Sequence, residues 1–472
     1  MKMKKSPSEE CQGELFQREL NGLLDPNHEL MRLGQAFDWK VLQDSFSQGF
    51  SETGRPGLSV RLMVGWHDLK YAFDLSDEEW RSRWLENPYG QHFCGRRSFE
   101  RKAPFDSSSM TRWPKRFDGE AGELLLSTTL KAAQSMKALK ECDLKRVNAD
   151  TTTQEKNLRY PTDARLYDRM RGTIVSQARK EGLRLRQTYS RTGPRLLREQ
   201  ACLSRSRKYR KTMAVPRKLK ARLGRVVRDV RRKTNGKPSD EMVGLLKLAQ
   251  RILSQTRSDS GKVYCVHQPT VECLSKGKPH KKWEFGNKVS FVTTAKGNGI
   301  VGAQGLHGSP YDGPILRNAL EQTERLVGRM PEQVACDQGY RKHGCSDLTK
   351  VLITDRKPRK TKLIRQWLKR RNPIEPIIGH LKAEHRLDRN RLKGVQGDRL
   401  NPVLVACGFN FRKRLRFLWP LFEALTQRGH QQNLDLSSIA SSFPCLEPLV
   451  KKISFECRRF YFPALCSIPC SG

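Results

Sequence analysis

The sequence predicts a mixed α/β protein whose sheet is interrupted by a long basic helical segment and preceded by a helical region. Three observations predict it. From residue 259 onward, short β-type runs bounded by Gly and Pro alternate with helix-periodic stretches. Residues 163–258 are dense in Arg and Lys and carry apolar residues at helical period. Residues 1–135 are aromatic-rich and hold helix-start signals but little strand pattern.

In the first region, Leu62, Val64, Leu69, Ala72 and Phe73 recur at near-helical spacing. Ser76 and Glu79 then form a capping box that opens a new helix. A further start signal, DSSSMTRW, occupies 106–113, and Pro114 falls where that helix would run, at about 3 kcal/mol inside one. Short helices with exposed Arg and Lys suit a DNA-binding module, and they suit any small helical domain as well.

LKRVNADTTT, residues 144–153, reads as a strand ending in Asp150. In the basic segment, Leu219, Leu223, Val226, Val227 and Val230 form an apolar stripe at 3.6-residue period. Arg222, Arg225 and Arg228 fall outside the stripe. They read either as a solvated helix face or as a contact surface for phosphates, and are candidate DNA-binding residues.

GKVYCVHQP, EFGNKVSFVTTA and GIVGAQG follow as strands, GPILRNALEQTERLVGRM as a helix, and PEQVACDQGY as a strand ending in Asp337. KVLIT is a shorter strand, and the next helix begins near Glu375, with Asn372 as its N-cap and Pro373 as its first residue. The expected organisation is a helical domain over 1–135, the first part of a core over 140–162, a basic insertion over 163–258, the rest of the core over 259–418 and a weakly patterned tail over 419–472. A length prior of about 150 residues per unit gives roughly three units.

Lys and Arg number 90 against 49 Asp and Glu, a formal net charge of +41. Self-repulsion on that scale calls for a polyanion, so nucleic acid is the expected partner. A basic membrane-surface protein would need an amphipathic or lipidated anchor, and the sequence shows neither. Without a secretory h-region or an apolar run of membrane length, a cytoplasmic, nucleoid-associated protein is expected. The 13 cysteines include no CxxC pair. Cys336, His343 and Cys345 lie close together but lack the spacing of a structural zinc site, and the cysteines read as small core residues.

Carboxylates are the informative exceptions in so basic a chain. Asp150 and Asp337 each follow a β-type run, at the rim where α/β sheets build sites. Glu375 lies in the first turn of a helix, where the macrodipole favours an anion. Singly, each reads equally as a turn, cap or helix-start residue. Together, three hard oxygen ligands suit one or two Mg²⁺ ions facing phosphates. Lys382, seven residues after Glu375, falls about 20° off the same helix face and can reach such a phosphate, whereas Glu384 falls about 180° away.

Arg371-x3-Glu375-x6-Lys382 matches the R, E and K of the Y-x2-R-x3-E-x6-K signature of DDE transposases in the IS-four/IS-five supergroup of bacterial insertion sequences, with Leu368 at the tyrosine position. VNADTTTQEKNLRYPTDARLY, VECLSKGKPHKKWEFGNKVSF, HGSPYDG and IEPIIGHLKAEHRLDRNRLKG resemble IS-five-type transposases. GRPGLSVRLMVGWHDLKYAFDLSDEEWRSRWLENPYGQHFCG resembles their InsH-like N-terminal domain. The resemblance spans roughly residues 35–418. It implies a ribonuclease H-like catalytic core, Asp150, Asp337 and Glu375 as the catalytic and metal-binding triad, and Arg371 and Lys382 at the DNA.

It further implies Mg²⁺ as cofactor, as two ions and with Mn²⁺ able to substitute. The DNA partners would be terminal inverted repeats and target DNA, bound by a homodimer, with no membrane and no protein cofactor. Cut-and-paste transposition would use water as the first nucleophile and the freed 3′-hydroxyl as the second. A ribonuclease H-like nuclease and a non-catalytic, decayed DNA-binding derivative are the alternative readings.

Overall fold

A computed structural model describes residues 19–47, 57–106, 109–110, 113, 119–256, 258–275, 282–354 and 361–430. Pro114 and most of the tail, from 431 on, lie outside the described residues. The chain divides into two compact units after Leu415, and the sheet and the helices around it belong to the first.

Its centre is a seven-stranded mixed sheet. The strands are β1 Arg146–Lys156, β2 Glu272–Leu274, β3 Glu284–Thr294, β4 Ile300–Leu306, β5 Gln333–Cys336, β6 Lys350–Ile353 and β7 Arg389–Asn390. β3 runs antiparallel to β1 and carries β4 and β2 on its other edge. On the opposite side β1 pairs in parallel with β5, and β5 with β6. β7 joins the far end of β1, with Glu155 opposite Arg389. The Asp312–Val327 helix connects β4 to β5 and packs on the sheet.

Two expectations on strands need correction. β1 does not end at Asp150 but continues to Lys156. β3 pairs with it from Val147 to Glu155, and Thr151, Thr152 and Thr153 are β-branched residues at home in that ladder. GKVYCVHQP forms no strand. Val263 and Val266 are buried in the core of the insertion, and the Gln255 amide takes the place of a neighbouring strand. Its Nε2 donates to the Val263 carbonyl at 3.2 Å, and its Oε1 accepts from the Val263 N–H at 3.1 Å.

The insertion is helical as expected, in four helices: Asp163–Lys180, Thr192–Arg205, Tyr209–Lys233 and Asp240–Ser254. Leu219, Leu223, Val226, Val227 and Val230 are all buried in a core separate from that of the sheet.

The N-terminal helices close no such core of their own. Leu33, Leu62, Trp66, Leu69 and Trp84 share one apolar cluster with Val147, Val289 and Phe291 of the sheet and with Leu404 and Phe411 of the Gly394–His430 helix. The Ser76–Glu79 capping box is present in both directions, at 3.1 and 2.7 Å.

The Val60–Ala72 helix is buried nearly all round, and this buries two ionisable groups. Burial pushes the Asp68 carboxyl up to about 8, so it is protonated at neutral pH. The unfolded chain releases that proton near pH 3.9. The group's contribution to stability is therefore complete below about pH 4 and is lost as pH rises towards 8. Asp68→Asn is expected to gain on the wild type by about 1 kcal/mol per pH unit across this window. Urea denaturation of both proteins at pH 5 and pH 8 checks it; a difference that does not grow with pH contradicts it.

Candidate active site

The parallel register of β1 and β5 builds the site. Asn148 pairs with Ala335, so two positions further on Asp150 and Asp337 stand level and on the same face, on strands about 4.8 Å apart. β5 ends at Cys336, one residue before the expected Asp337, and Asp337 follows as the N-cap of the short 3₁₀ turn Gln338–Tyr340, its Oδ1 accepting from the Gly339 N–H at 3.0 Å. Asp150 sits inside β1, just beyond the stretch that β5 covers.

Glu375 lies in the first turn of the Ile374–Glu384 helix, as expected, but the start of that helix needs correction. Pro373 is the N-cap, Ile374 the first helical residue, and no side chain caps the end. Residues 370–373 form a turn in which the Ile374 N–H donates to the Arg371 carbonyl at 2.9 Å, so Asn372 is inside the turn and not at its exit. Asn148 Nδ2 donates to the Arg370 carbonyl at 3.0 Å and fastens this turn to β1 beside Asp150.

Arg371, expected at the DNA, is only 8% exposed. Its Nη2 donates to Asp150 Oδ2 at 3.2 Å, and its Nη1 stands 4.0 Å from Glu375 Oε1. The guanidinium thus bridges the strand carboxylate and the helix carboxylate. The Glu375 side chain itself is 74% exposed. Among the described residues no three His, Cys, Asp or Glu side chains converge closely enough to hold a metal ion as they stand. Asp150 and Asp337 are brought together, and Glu375 is linked to them through Arg371.

Sequence reasoning missed a fourth carboxylate. Asp312, from HGSPYDG, accepts from Thr151 Oγ1 at 2.9 Å and from Lys288 Nζ at 3.1 Å. A Cβ on Gly339 would stand 3.1 Å from both Asp312 Oδ2 and Asp337 Oδ1, which places the two carboxylates around one small space. The nearby Tyr340 hydroxyl is buried without a hydrogen-bond partner among the described residues. Its pKa is raised by burial, then by Cys336, Asp150, Asp312 and Asp337. The available signal was an aspartate between aromatic and glycine in a chain poor in acids.

Asp312→Ala leaves the Lys288 ammonium, half-buried, with only the Pro310 carbonyl at 2.7 Å. A loss of roughly 1–3 kcal/mol is expected in denaturant unfolding; unchanged stability contradicts the bridge.

Lys382 lies in the last turn of the same helix as Glu375, whose Ile374, Ile377 and Leu381 are buried. Glu384 is engaged by Arg412 at 2.8 Å and His380 at 2.9 Å. On the insertion, Arg225 and Arg228 are exposed, while Arg222 donates to the Thr192 carbonyl at 3.1 Å and lies over the Tyr189 ring. Cys345 and His343 hydrogen-bond one another, with the Cys345 N–H on His343 Nδ1 at 3.0 Å.

The donor chemistry fits a hard divalent cation: carboxylate oxygens from two adjacent strands and one helix, beside an orphaned hydroxyl. A cation, the Arg371 guanidinium, already balances Asp150.

Comparison with known proteins agrees in kind. Residues 18–116 match a family described as a transposase domain, DUF772, and residues 334–415 match one described as a transposase DDE domain. An uncharacterized protein of Rhizobium meliloti, ORF8 in the nfe locus, is 40% identical over 193 residues, 41% of this chain and 93% of that protein. No solved structure matches. No helix among the described residues is long and apolar enough to cross a membrane.

Proposed function

We infer that this chain, which belongs to the transposases carrying a DDE domain, cuts DNA at the ends of its own insertion sequence and joins them to target DNA, in the manner of IS-five-type elements. The observation that carries this reading is the register that sets Asp150 level with Asp337, with Arg371 joining the Glu375 helix to the same place. The sheet order β4-β3-β1-β5-β6, antiparallel on one side of β1 and parallel on the other, supports a ribonuclease H-like core.

Asp150, Asp337 and Glu375 are the residues to hold Mg²⁺, as two ions, or Mn²⁺ in its place. When bound, such ions supply charge neutralisation and activation of the attacking and leaving oxygens. The chain supplies the rest. Two rigid strands fix the aspartates, and Arg371 positions Asp150 while Glu375 remains free to swing in from an exposed helix start. Lys382 reaches a phosphate from the Glu375 face. Exposed Arg225 and Arg228 hold the duplex backbone, with Arg222 beside them.

Water and then the 3′-hydroxyl act as nucleophiles, so no Ser or Tyr nucleophile is required. A homodimer on DNA brings two ends together.

The test incubates purified protein with labelled DNA carrying the flanking element end, with and without Mg²⁺. Nicking at the element boundary that depends on the cation is expected. Tight, salt-sensitive binding with no nicking in either Mg²⁺ or Mn²⁺ contradicts the enzymatic reading.

A further inference from the structure

A cavity of about 470 Å³ lies between the N-terminal helices and the segment that follows the Glu375 helix. Its walls are fixed by hydrogen bonds that cross between those two parts of the chain. Tyr71 Oη donates to Asn401 Oδ1 at 2.8 Å, His385 Nδ1 pairs with the Tyr71 carbonyl at 2.8 Å, and Arg386 Nη1 donates to the Leu75 carbonyl at 2.7 Å. Such walls hold their shape when a ligand enters.

The lining divides into three chemistries. Met110 and Leu392 give it an apolar wall. Arg389, Arg391 and Lys393 form an exposed cationic rim. Of the acids in the lining, Asp77 is taken up by Lys70 at 2.5 Å, and Glu78 remains against the rim's three cations.

His67 also reaches the cavity. It is 2% exposed, and neither ring nitrogen has a hydrogen-bond partner among the described residues. Burial first, then Lys70, lowers its pKa well below the usual value, so the ring is neutral, and with both nitrogens shielded it extends the apolar wall.

The volume suits one enclosed small ligand and excludes a duplex. An apolar wall that includes the neutral His67 ring, together with a cationic rim, matches a base with its phosphate. The place matches as well. Arg389 pairs level with Glu155 on β1. Along an extended strand this is about 17 Å from Asp150, at roughly 3.3 Å per residue. That is the rise of roughly five stacked nucleotides.

We propose that this cavity is a subsite for one unpaired nucleotide of the DNA strand that passes the carboxylate site, its phosphate on Arg389, Arg391 and Lys393 and its base against Met110, Leu392 and His67. The subsite rests on the reading of the chain as a DNA-processing enzyme. It gives the junction of the two transposase segments a purpose: the N-terminal helices and the post-Glu375 segment grip the same nucleotide.

The experiment measures binding of the full chain, in EDTA, to a labelled blunt duplex and to the same duplex ending in roughly five unpaired nucleotides. Wild type is expected to prefer the unpaired end by about tenfold, within the range of one buried, stacked base. Arg391→Ala/Lys393→Ala removes that preference and lowers the salt slope on the unpaired DNA by about one per cation lost. Arg391→Lys retains it.

Equal binding of both DNAs by wild type overturns the subsite and leaves the DNA reading standing. A proportional loss on both DNAs in the double variant also overturns it, since the rim is then a general electrostatic surface. Absence of binding to any DNA overturns the functional reading and the subsite with it.

Discussion

Asp150→Asn and Asp337→Asn are each expected to lose DNA cleavage by about a thousandfold or more while keeping DNA affinity within severalfold. The magnitude follows from the several kcal/mol of charge stabilisation that a divalent ion lends to phosphoryl transfer, at 1.36 kcal/mol per tenfold. Asparagine keeps the shape of each strand position and removes the anionic ligand. At Asp150 it also takes the partner from Arg371, so that variant is less stable, and both variants are assayed where circular dichroism shows them folded. Affinity should survive, because on the proposed reading backbone binding comes from the cationic surface, where Arg225 and Arg228 are exposed. Single-turnover cleavage and anisotropy, run on the same preparations, separate the two effects. Cleavage that survives either substitution removes that aspartate from the chemistry. Equal losses in binding and cleavage instead indicate a folding defect at the β1–β5 edge.

The second large effect is on stability. Arg371 and Asp150 are an ion pair at 3.2 Å with side chains 9% and 14% exposed. Breaking a buried pair from one side leaves an uncompensated charge and costs roughly 3–5 kcal/mol. Arg371→Gln is therefore expected to unfold at distinctly lower denaturant concentration in EDTA. A divalent cation that binds the freed carboxylates should recover part of the loss, since a ligand that binds only the folded state stabilises it by mass action. Arg371→Lys should recover less than half, because an ammonium cannot span Asp150 and Glu375 as a planar guanidinium does. If Arg371 serves only to touch DNA, Arg371→Gln changes affinity and its salt slope and leaves unfolding unchanged.

Local rules made much of this molecule legible in the sequence. The Ser76–Glu79 box, the Leu219–Val230 stripe and the Gly-bounded strands of EFGNKVSFVTTA and GIVGAQG are all encoded within a few residues of where they act. The carboxyl end of β5, just before Asp337, was equally local.

What escaped depends on partners distant in sequence. β1 runs past Asp150 because β3 continues beside it. Nearer in sequence, residues 261–269 stay irregular because Gln255, the C-cap of the Asp240–Ser254 helix, satisfies the Val263 backbone, a contact that no strand pattern announces. Arg371 turns inward because β1 brings Asp150 beneath it, and Asp312 enters the site only once β3 sets Lys288 level with Thr153, diagonal to Thr151. The N-terminal helices looked independent because their aromatic pattern does not reveal that Trp66 and Leu33 complete the core of the sheet.

The central claim is that Asp150, Asp337 and Glu375 act together as ligands for a divalent cation. Mn²⁺ titration followed by electron paramagnetic resonance tests it without requiring DNA or turnover. Wild type is expected to deplete the free-ion signal to a stoichiometry of one or two per chain, and Asp150→Asn/Asp337→Asn to leave it undepleted. Glu375→Gln should weaken binding without abolishing it, since its exposed side chain joins from the helix. Uptake of Mn²⁺ by the double variant equal to that of wild type contradicts the account.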